Sequence, residues 1–339
     1  MPRVVAVPDK FRGTLSAAEA AQAIAQAAGE LGWECDVVPV SDGGEGFLDV
    51  FLAEGATRRH STVRGPFGQP VEAEWLFCRP ADRSAQTWAV IESAQAAGLS
   101  LVGGAGSNDP VRAGTAGVGQ LIDAAVWAGA SQVIVGMGGS ASTDGGLGAV
   151  EALEWRGPAS AEVVVACDVQ TRFCDAAAVF SPQKGATREQ VELLRERLCR
   201  LAQLYQERCG ADVRDLAGGG AAGGLAGGLA ALGARLVPGL ELVSERLELA
   251  KRIARADLVV TGEGYLDRQS FAGKVVGGVL RLARHAGVPV LVVAGDAEPG
   301  LPVRYVSLVD RFGAKRARVE AAACLKAVVA DRLGRGRGA

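Results

Sequence analysis

The chain has 339 residues, 49% hydrophobic and 22% charged, with a net charge of −2. That length allows two domains and a substantial core, and the near-neutral balance excludes a general attraction to nucleic acid or an anionic membrane. Neither an apolar run of about 18 residues nor a basic n-region leading into one is visible, so no membrane span or leader is expected, and the cytoplasm is the expected location.

Val4–Val7 reads as a strand. Ser16, with Glu19 three residues on, makes a capping-box pattern that opens an alanine-rich helix to about Leu31. Cys35–Val40 predicts a second strand and Phe47–Ala53 a helix, and this β-α-β-α order builds a parallel sheet. From Thr57 to Glu92 the texture changes. Ser61–Val63, Val71–Cys78 and Thr87–Glu92 are β-rich and separated by Gly65-Pro66 and Arg79-Pro80, which suits hairpins of a different sheet. Helix 117–128, strand 133–135, helix 146–153 and strand 163–166 follow, then a long amphipathic helix 188–208 and a small-residue helix 223–232. After Leu242 the pattern is helix 245–254, strand 257–260, helix 275–285, strands 288–293 and 303–308, and a last helix 319–333. The expected fold class is α/β. A Rossmann-like parallel-sheet domain is formed by both termini (1–58 and 243–339), with a second, mixed α/β domain (59–242) inserted.

Four glycine-bearing turns carry acids or lysines: Ser41–Gly46, Gly136–Gly146, Ser181–Gly185, and Thr261–Asp267 running on to Gly273-Lys274. A strand that ends in glycines and then starts a helix is where α/β proteins hold anions, because bare N–H groups and the helix dipole favour negative charge. Carboxylates in such loops would repel a phosphate unless a cation lay between them, which points to a metal-chelated phosphate. Lysine usage points the same way. Six lysines stand against 30 arginines, and Lys10, Lys184 and Lys274 lie in or beside glycine-bearing segments, where a compact charge is useful.

Blander readings compete at each position. Capping by Ser142 or Thr143 explains the hydroxyls of 136–146 but leaves five glycines around Asp144, which favour ligand contact. Asp42 and Glu45 suit a helix dipole as well as a cation, Asp168 suits a turn cap, and Lys184 after Pro182 suits a surface charge. No loop matches GxxxxGK[ST] or GxGxxG, and the two histidines lie in no motif. A dehydrogenase, a zinc site and a histidine triad are therefore disfavoured. Seven cysteines without a CxxC suggest buried, reduced thiols.

The segments PDKFRGTLSA, PVSDGGEG, GPFG, GMGGSASTDGG, ACDV, SPQKGA, AGGGAAGGL and TGEGYLDRQSFAGK, in that order from Pro8 to about Asp296, resemble the type-1 glycerate kinase family. The resemblance implies a two-domain α/β enzyme that uses ATP and magnesium to phosphorylate D-glycerate, giving 2-phosphoglycerate in most members. A 3-phosphoglycerate-forming enzyme and a degenerate, non-catalytic sugar-acid or nucleotide binder are the alternatives. Several positions depart from the family pattern: Tyr265 for arginine, Arg268 for glycine, Thr143 for asparagine, Ala113–Gly117 for TTTYG, and Thr171–Phe173 for NPL. The bridge Glu154–Ala161 is also short. These departures bear on which hydroxy acid is preferred.

On that resemblance, Asp42, Asp144 and Asp168 are expected on magnesium or on substrate hydroxyls, and Lys184 and Lys274 on phosphates. Lys10 and Arg12 would hold the glycerate carboxylate or a phosphate, and Gly138, Gly139 and Ser140 would contact substrate or nucleotide. Glu263 and Asp267 are the remaining carboxylates from which a base could come. The expected partners are glycerate and ATP, with no nucleic acid or membrane. Self-association into a homo-oligomer is left open by the sequence.

Overall fold

The computed structural model describes residues 1–11, 13–38, 40, 46–52, 55–80, 86–271 and 274–335. The chain divides into two compact units, Met1–Asp42 with Leu240–Ala339, and Gly43–Gly239. In chain order the strands are β1 (Arg3–Pro8), β2 (Glu34–Val37), β3 (Thr57–Arg64), β4 (Pro70–Cys78), β5 (Trp88–Glu92) and β6 (Gln132–Gly136). They continue as β7 (Glu162–Ala166), β8 (Arg235–Val237), β9 (Leu258–Leu266), β10 (Val290–Ala297) and β11 (Val306–Ser307). No helix among the described residues is long and apolar enough to cross a membrane.

The terminal unit is a parallel sheet in the order β11-β10-β9-β1-β2. Counted within the unit this is 2-1-3-4-5, a doubly wound order whose direction reverses between β1 and β9. Val4–Val7 are fully buried, as expected where helices cover both faces of a parallel sheet. Helix Ala17–Glu30 begins with the anticipated capping box: Glu19 N–H donates to Ser16 Oγ, and Ser16 N–H donates to the Glu19 carboxylate. Its Ala20, Ile24, Ala27 and Ala28 join β1, β9 and helix Ala321–Arg335 in one core.

The inserted unit has a six-stranded sheet, β3-β4-β5-β6-β7-β8. β3, β4 and β5 pair antiparallel, and β5 to β8 run parallel, so the change of texture read in the sequence is a real change of sheet type. The sequence reading joined residues 43–58 to the termini. In the structure, helix Phe47–Leu52 packs on β4 and β5, with Phe51 edge-on to Trp88 at 5.8 Å.

Other elements differ from the sequence reading in ways that packing explains. Thr261–Leu266, read as a turn, continues strand β9, paired to β10 as far as Leu266 and to β1 as far as Gly262. The helix expected over 245–254 is two, Gly239–Arg246 and Leu249–Ile253, broken where Glu248 adopts φ +50°. The small-residue helix is shorter, Leu225–Ala231, after a 3₁₀ turn in which Ala222 has φ +51°. All seven cysteines are free thiols, three of them buried and four half-buried.

Candidate active site

Strand β6, buried at every residue, ends at Gly136 and hands over to a loop that reaches helix Leu147–Ala152. The segment after β5 flanks this loop: Leu99 N–H donates to the Gly139 carbonyl (2.7 Å) and Ala141 N–H to the Ala97 carbonyl (2.8 Å). The loop therefore sits at the carboxyl end of parallel strands, where open α/β sheets hold ligands. Not all its glycines are explained by a ligand. Gly145 and Gly146 have φ of +69° and +78°, and a Cβ on Gly145 would lie 2.5 Å from Leu201.

Asp144 is buried and densely hydrogen-bonded. Its Oδ2 accepts from Thr115 N–H (3.0 Å), Thr115 Oγ1 (2.8 Å) and Gly148 N–H (3.2 Å), and its Oδ1 from Gly146 N–H (3.1 Å). Ala149 N–H in turn donates to Thr115 Oγ1 at 3.1 Å. The carboxylate thus ties the start of helix Ala116–Trp127 to the start of helix Leu147–Ala152, and Oδ1 keeps acceptor capacity for a ligand.

Lys184 ends a 3₁₀ turn, Pro182–Lys184, that proline initiates and Gly185, at φ +95°, closes. The sequence in isolation suggests a surface charge there. In the structure the side chain is only 3% exposed, and its ammonium donates to Ser140 Oγ (2.8 Å) and the Ser142 carbonyl (2.6 Å). Burial pushes the amine down to about 7, while the nearby Asp144 charge pulls it back up. Asn108 locks this arrangement, its Nδ2 donating to the carbonyls of Ala141 (3.0 Å) and Lys184 (2.9 Å). Around the same loop, Asn108 Oδ1 and the hydroxyls of Ser142 and Thr143 are buried without a hydrogen-bond partner among the described residues.

In the inserted unit, then, Gly138, Gly139, Ser140, Asp144 and Lys184 come together. Asp168 follows the neighbouring strand β7, and its Oδ1 accepts from Gly239 N–H at 3.0 Å. The terminal unit carries other expected residues on and after β1 and β9, the strands that flank its switch point. Lys10 follows β1, and its carbonyl accepts from Gly264 N–H on β9 at 3.3 Å. Glu263 is half-buried in β9, and Lys274 stands at the N-cap of helix Val275–Ala286. Asp267 caps a turn: its Oδ1 accepts from Ser270 N–H (2.9 Å) and Oγ (3.2 Å). Asp42 and Arg12, with Glu45, lie outside the described residues.

No group of three or more His, Cys, Asp or Glu among the described residues is placed to hold a metal ion. A three-aspartate cage is not formed by Asp144 and Asp168 alone. Magnesium carried on phosphates needs only one or two protein carboxylates, however, and Asp144 Oδ1 can serve as one. Sequence reasoning missed Thr115, Asn108 and Tyr205, whose hydroxyl donates to the Gly145 carbonyl of the glycine loop at 2.9 Å. Thr115 was visible only as part of a departure from a family motif, and neither Asn108 nor Tyr205 lies in any glycine turn.

Fold and loop together are those of an α/β protein whose glycine loop lies at the carboxyl ends of parallel strands, the place where this class holds anionic ligands. The Glycerate kinase family matches residues 4–158 and 156–326. The glycerate 2-kinase of Escherichia coli (strain K12) is 37% identical over 345 residues, covering 91% of this chain and 89% of the relative. An uncharacterised protein of Mycobacterium bovis is 41% identical over 310 residues, covering 87% of this chain and 79% of its own. A crystal structure from Salmonella typhimurium LT2, provisionally designated glycerate kinase 2, matches with a TM-score of 0.80 and 35% identity over 100% of both chains. The chain belongs to the glycerate kinase family and is a kinase.

Proposed function

We propose that this kinase transfers the γ-phosphoryl group of ATP to the 2-hydroxyl of D-glycerate, with magnesium, in the cytoplasm. The observation that carries the reading is the 138–146 loop, with Asp144 in it and the buried Lys184 ammonium bonded to it, in a chain 37% identical to a glycerate 2-kinase over 91% of its length. Phosphoryl transfer asks a protein mainly to position reactants and neutralise charge. The loop at 138–146 suits that task, with backbone N–H groups at a strand end and an ammonium braced beneath them.

Lys184 contributes through the loop: it holds Ser140 and the Ser142 carbonyl and lends positive potential to the N–H groups around them. Asp144 Oδ1, and Asp168 after β7, are the carboxylates that would hold magnesium, whose role when bound is to neutralise charge on the transferring phosphoryl group. In the terminal unit, Lys10 and Lys274 are the cations at strand and helix ends available for carboxylate or phosphate. Asp267 Oδ1 accepts from Ser270, and Glu263 and Asp267 are the acids of this unit from which a base could come.

The test is a coupled ADP-release assay with D-glycerate. Enolase added without a mutase gives phosphoenolpyruvate only from the 2-phosphate, so its absence alongside ADP release would mean the 3-phosphate product. Glycerate that raises the melting temperature while no ADP forms would select the non-catalytic binder.

A further inference from the structure

Tyr205 has no place in the chemistry above, yet it touches the loop at a decisive atom. It lies on the apolar stripe of helix Arg188–Cys209 with Leu194, Leu198, Leu201 and Ala202, and it is fully buried. Its hydroxyl donates to the Gly145 carbonyl at 2.9 Å. The peptide unit joining Gly145 to Gly146 is planar and trans, so its carbonyl and its N–H point in opposite directions. The N–H end donates to Asp144 Oδ1 at 3.1 Å. One phenol therefore holds the plane whose far end holds the carboxylate.

Such an anchor is needed here. Two successive glycines at positive φ have no side chains to fix the peptide between them, and rotation of that plane would remove the donor from Oδ1. The surroundings are shaped to bring the phenol in. A Cβ at Gly228 would lie 3.0 Å from the Tyr205 oxygen and 2.6 Å from the Gly145 carbonyl. Phe173 meets the ring edge-on at 6.0 Å, and Trp155 lies at 6.0 Å with the Arg208 guanidinium 4.5 Å above it. Burial, and then the nearby Asp144 charge, raise the phenol above its usual range, so it remains a donor at any working pH.

We propose that Tyr205 is a positioning residue for the kinase reaction, locking the Gly145–Gly146 peptide so that Asp144 Oδ1 keeps its working orientation. The inference rests on Asp144 acting at the reacting centre.

The test is a cycle of Tyr205→Phe, Asp144→Asn and the double variant, read as kcat, as KM for glycerate and ATP, and as folded fraction by calorimetry. Tyr205→Phe should lower kcat about 10-fold per folded molecule and leave both KM values within about twofold. In the Asp144→Asn background, followed by long-incubation product analysis, the same change should add less than about twofold, because the group it orients is gone. Trp155→Phe is the packing control. It disturbs the same ring without touching the hydrogen bond and should keep kcat within about twofold. A wild-type kcat for Tyr205→Phe, a full further loss in the double variant, or an equal loss in Trp155→Phe would each overturn the proposal. Wild-type turnover by Asp144→Asn would instead sink the reading of Asp144 on which it stands.

Discussion

The Lys184 ammonium lies 2.8 Å from the Ser140 hydroxyl and 2.6 Å from the Ser142 carbonyl, and it is the one buried cation among the described residues. A lysine whose local sequence in isolation suits a surface charge is thus a brace for the glycine loop. Lys184→Met removes both bonds and the charge and should lower kcat about 10²-fold or more. Lys184→Arg should not restore the rate, because a planar guanidinium cannot place one compact donor head in that space. Steady-state ADP release with saturating D-glycerate is the measurement, and a rate near wild type for Lys184→Met would remove Lys184 from the active loop.

The same burial predicts a pH signature in stability. The amine titrates at about 7 in the folded chain against an ordinary value of 10.5, so between those limits the unfolded chain binds more protons. Stability from this group therefore rises with pH across roughly pH 7–10.5 and is flat below, where both states are protonated. Without nucleotide or magnesium, the difference in thermal midpoint between wild type and Lys184→Met should grow by several degrees in favour of wild type from pH 6.5 to 9.5. A difference independent of pH would show that the ammonium is well solvated.

Asp144→Asn tests two functions at once. The carboxylate accepts four hydrogen bonds, three of them at Oδ2, and an amide supplies only one acceptor oxygen. With its oxygen facing the three donors, the NH₂ group would confront Gly146 N–H. We expect a loss of about 1–3 kcal/mol in stability from that conflict, together with a fall in turnover of about 10²-fold per folded molecule. Denaturant melts and active-enzyme titration separate the two. Thr115→Val, which deletes one donor and leaves the carboxylate, should show the stability loss with a smaller rate effect.

How much of this was legible in the sequence depended on whether the signal was local. Ser16 and Glu19 announced helix Ala17–Glu30, because capping is settled within four residues. The strand–glycine loop–helix order around Asp144 was equally readable, since β6 and helix Leu147–Ala152 follow their own patterns. Lys184 was harder, because its burial is decided by Ser140 and Ser142, some forty residues away in the chain. Tyr205 was invisible as a site residue. On a helix whose buried positions include Leu194, Leu198 and Leu201, an aromatic reads as core, and only the fold shows its hydroxyl against Gly145. The three-residue strand β8 is likewise too short to carry a period.

Thr261–Leu266 shows why one glycine-bearing segment reads as a turn and is a strand, and it yields the sharpest stability prediction. Glycine and glutamate are poor strand formers, so TGEG after a valine run looks like the end of a strand. Yet β9 runs on through Gly262 and Glu263 to Leu266, because β10 pairs with it as far as Leu266, β1 pairs with it as far as Gly262, and the Lys10 carbonyl then accepts from Gly264 N–H. Gly262 is required by close approach rather than by a ligand: a Cβ there would lie 1.9 Å from the Val293 carbonyl oxygen, a backbone atom that cannot swing away. Gly262→Ala must therefore push β9 from β10 in the middle of the parallel sheet, at a cost of about 3 kcal/mol or more, since it strains a packed core and weakens ladder hydrogen bonds together. Urea melts should show this as a lower midpoint, whereas Gly13→Ala, where a Cβ meets nothing within 4 Å, should suffer only the milder penalty of its φ of +78°. Equal midpoints for the two variants would mean that β9 and β10 separate freely at Gly262, and that the segment is a loop after all.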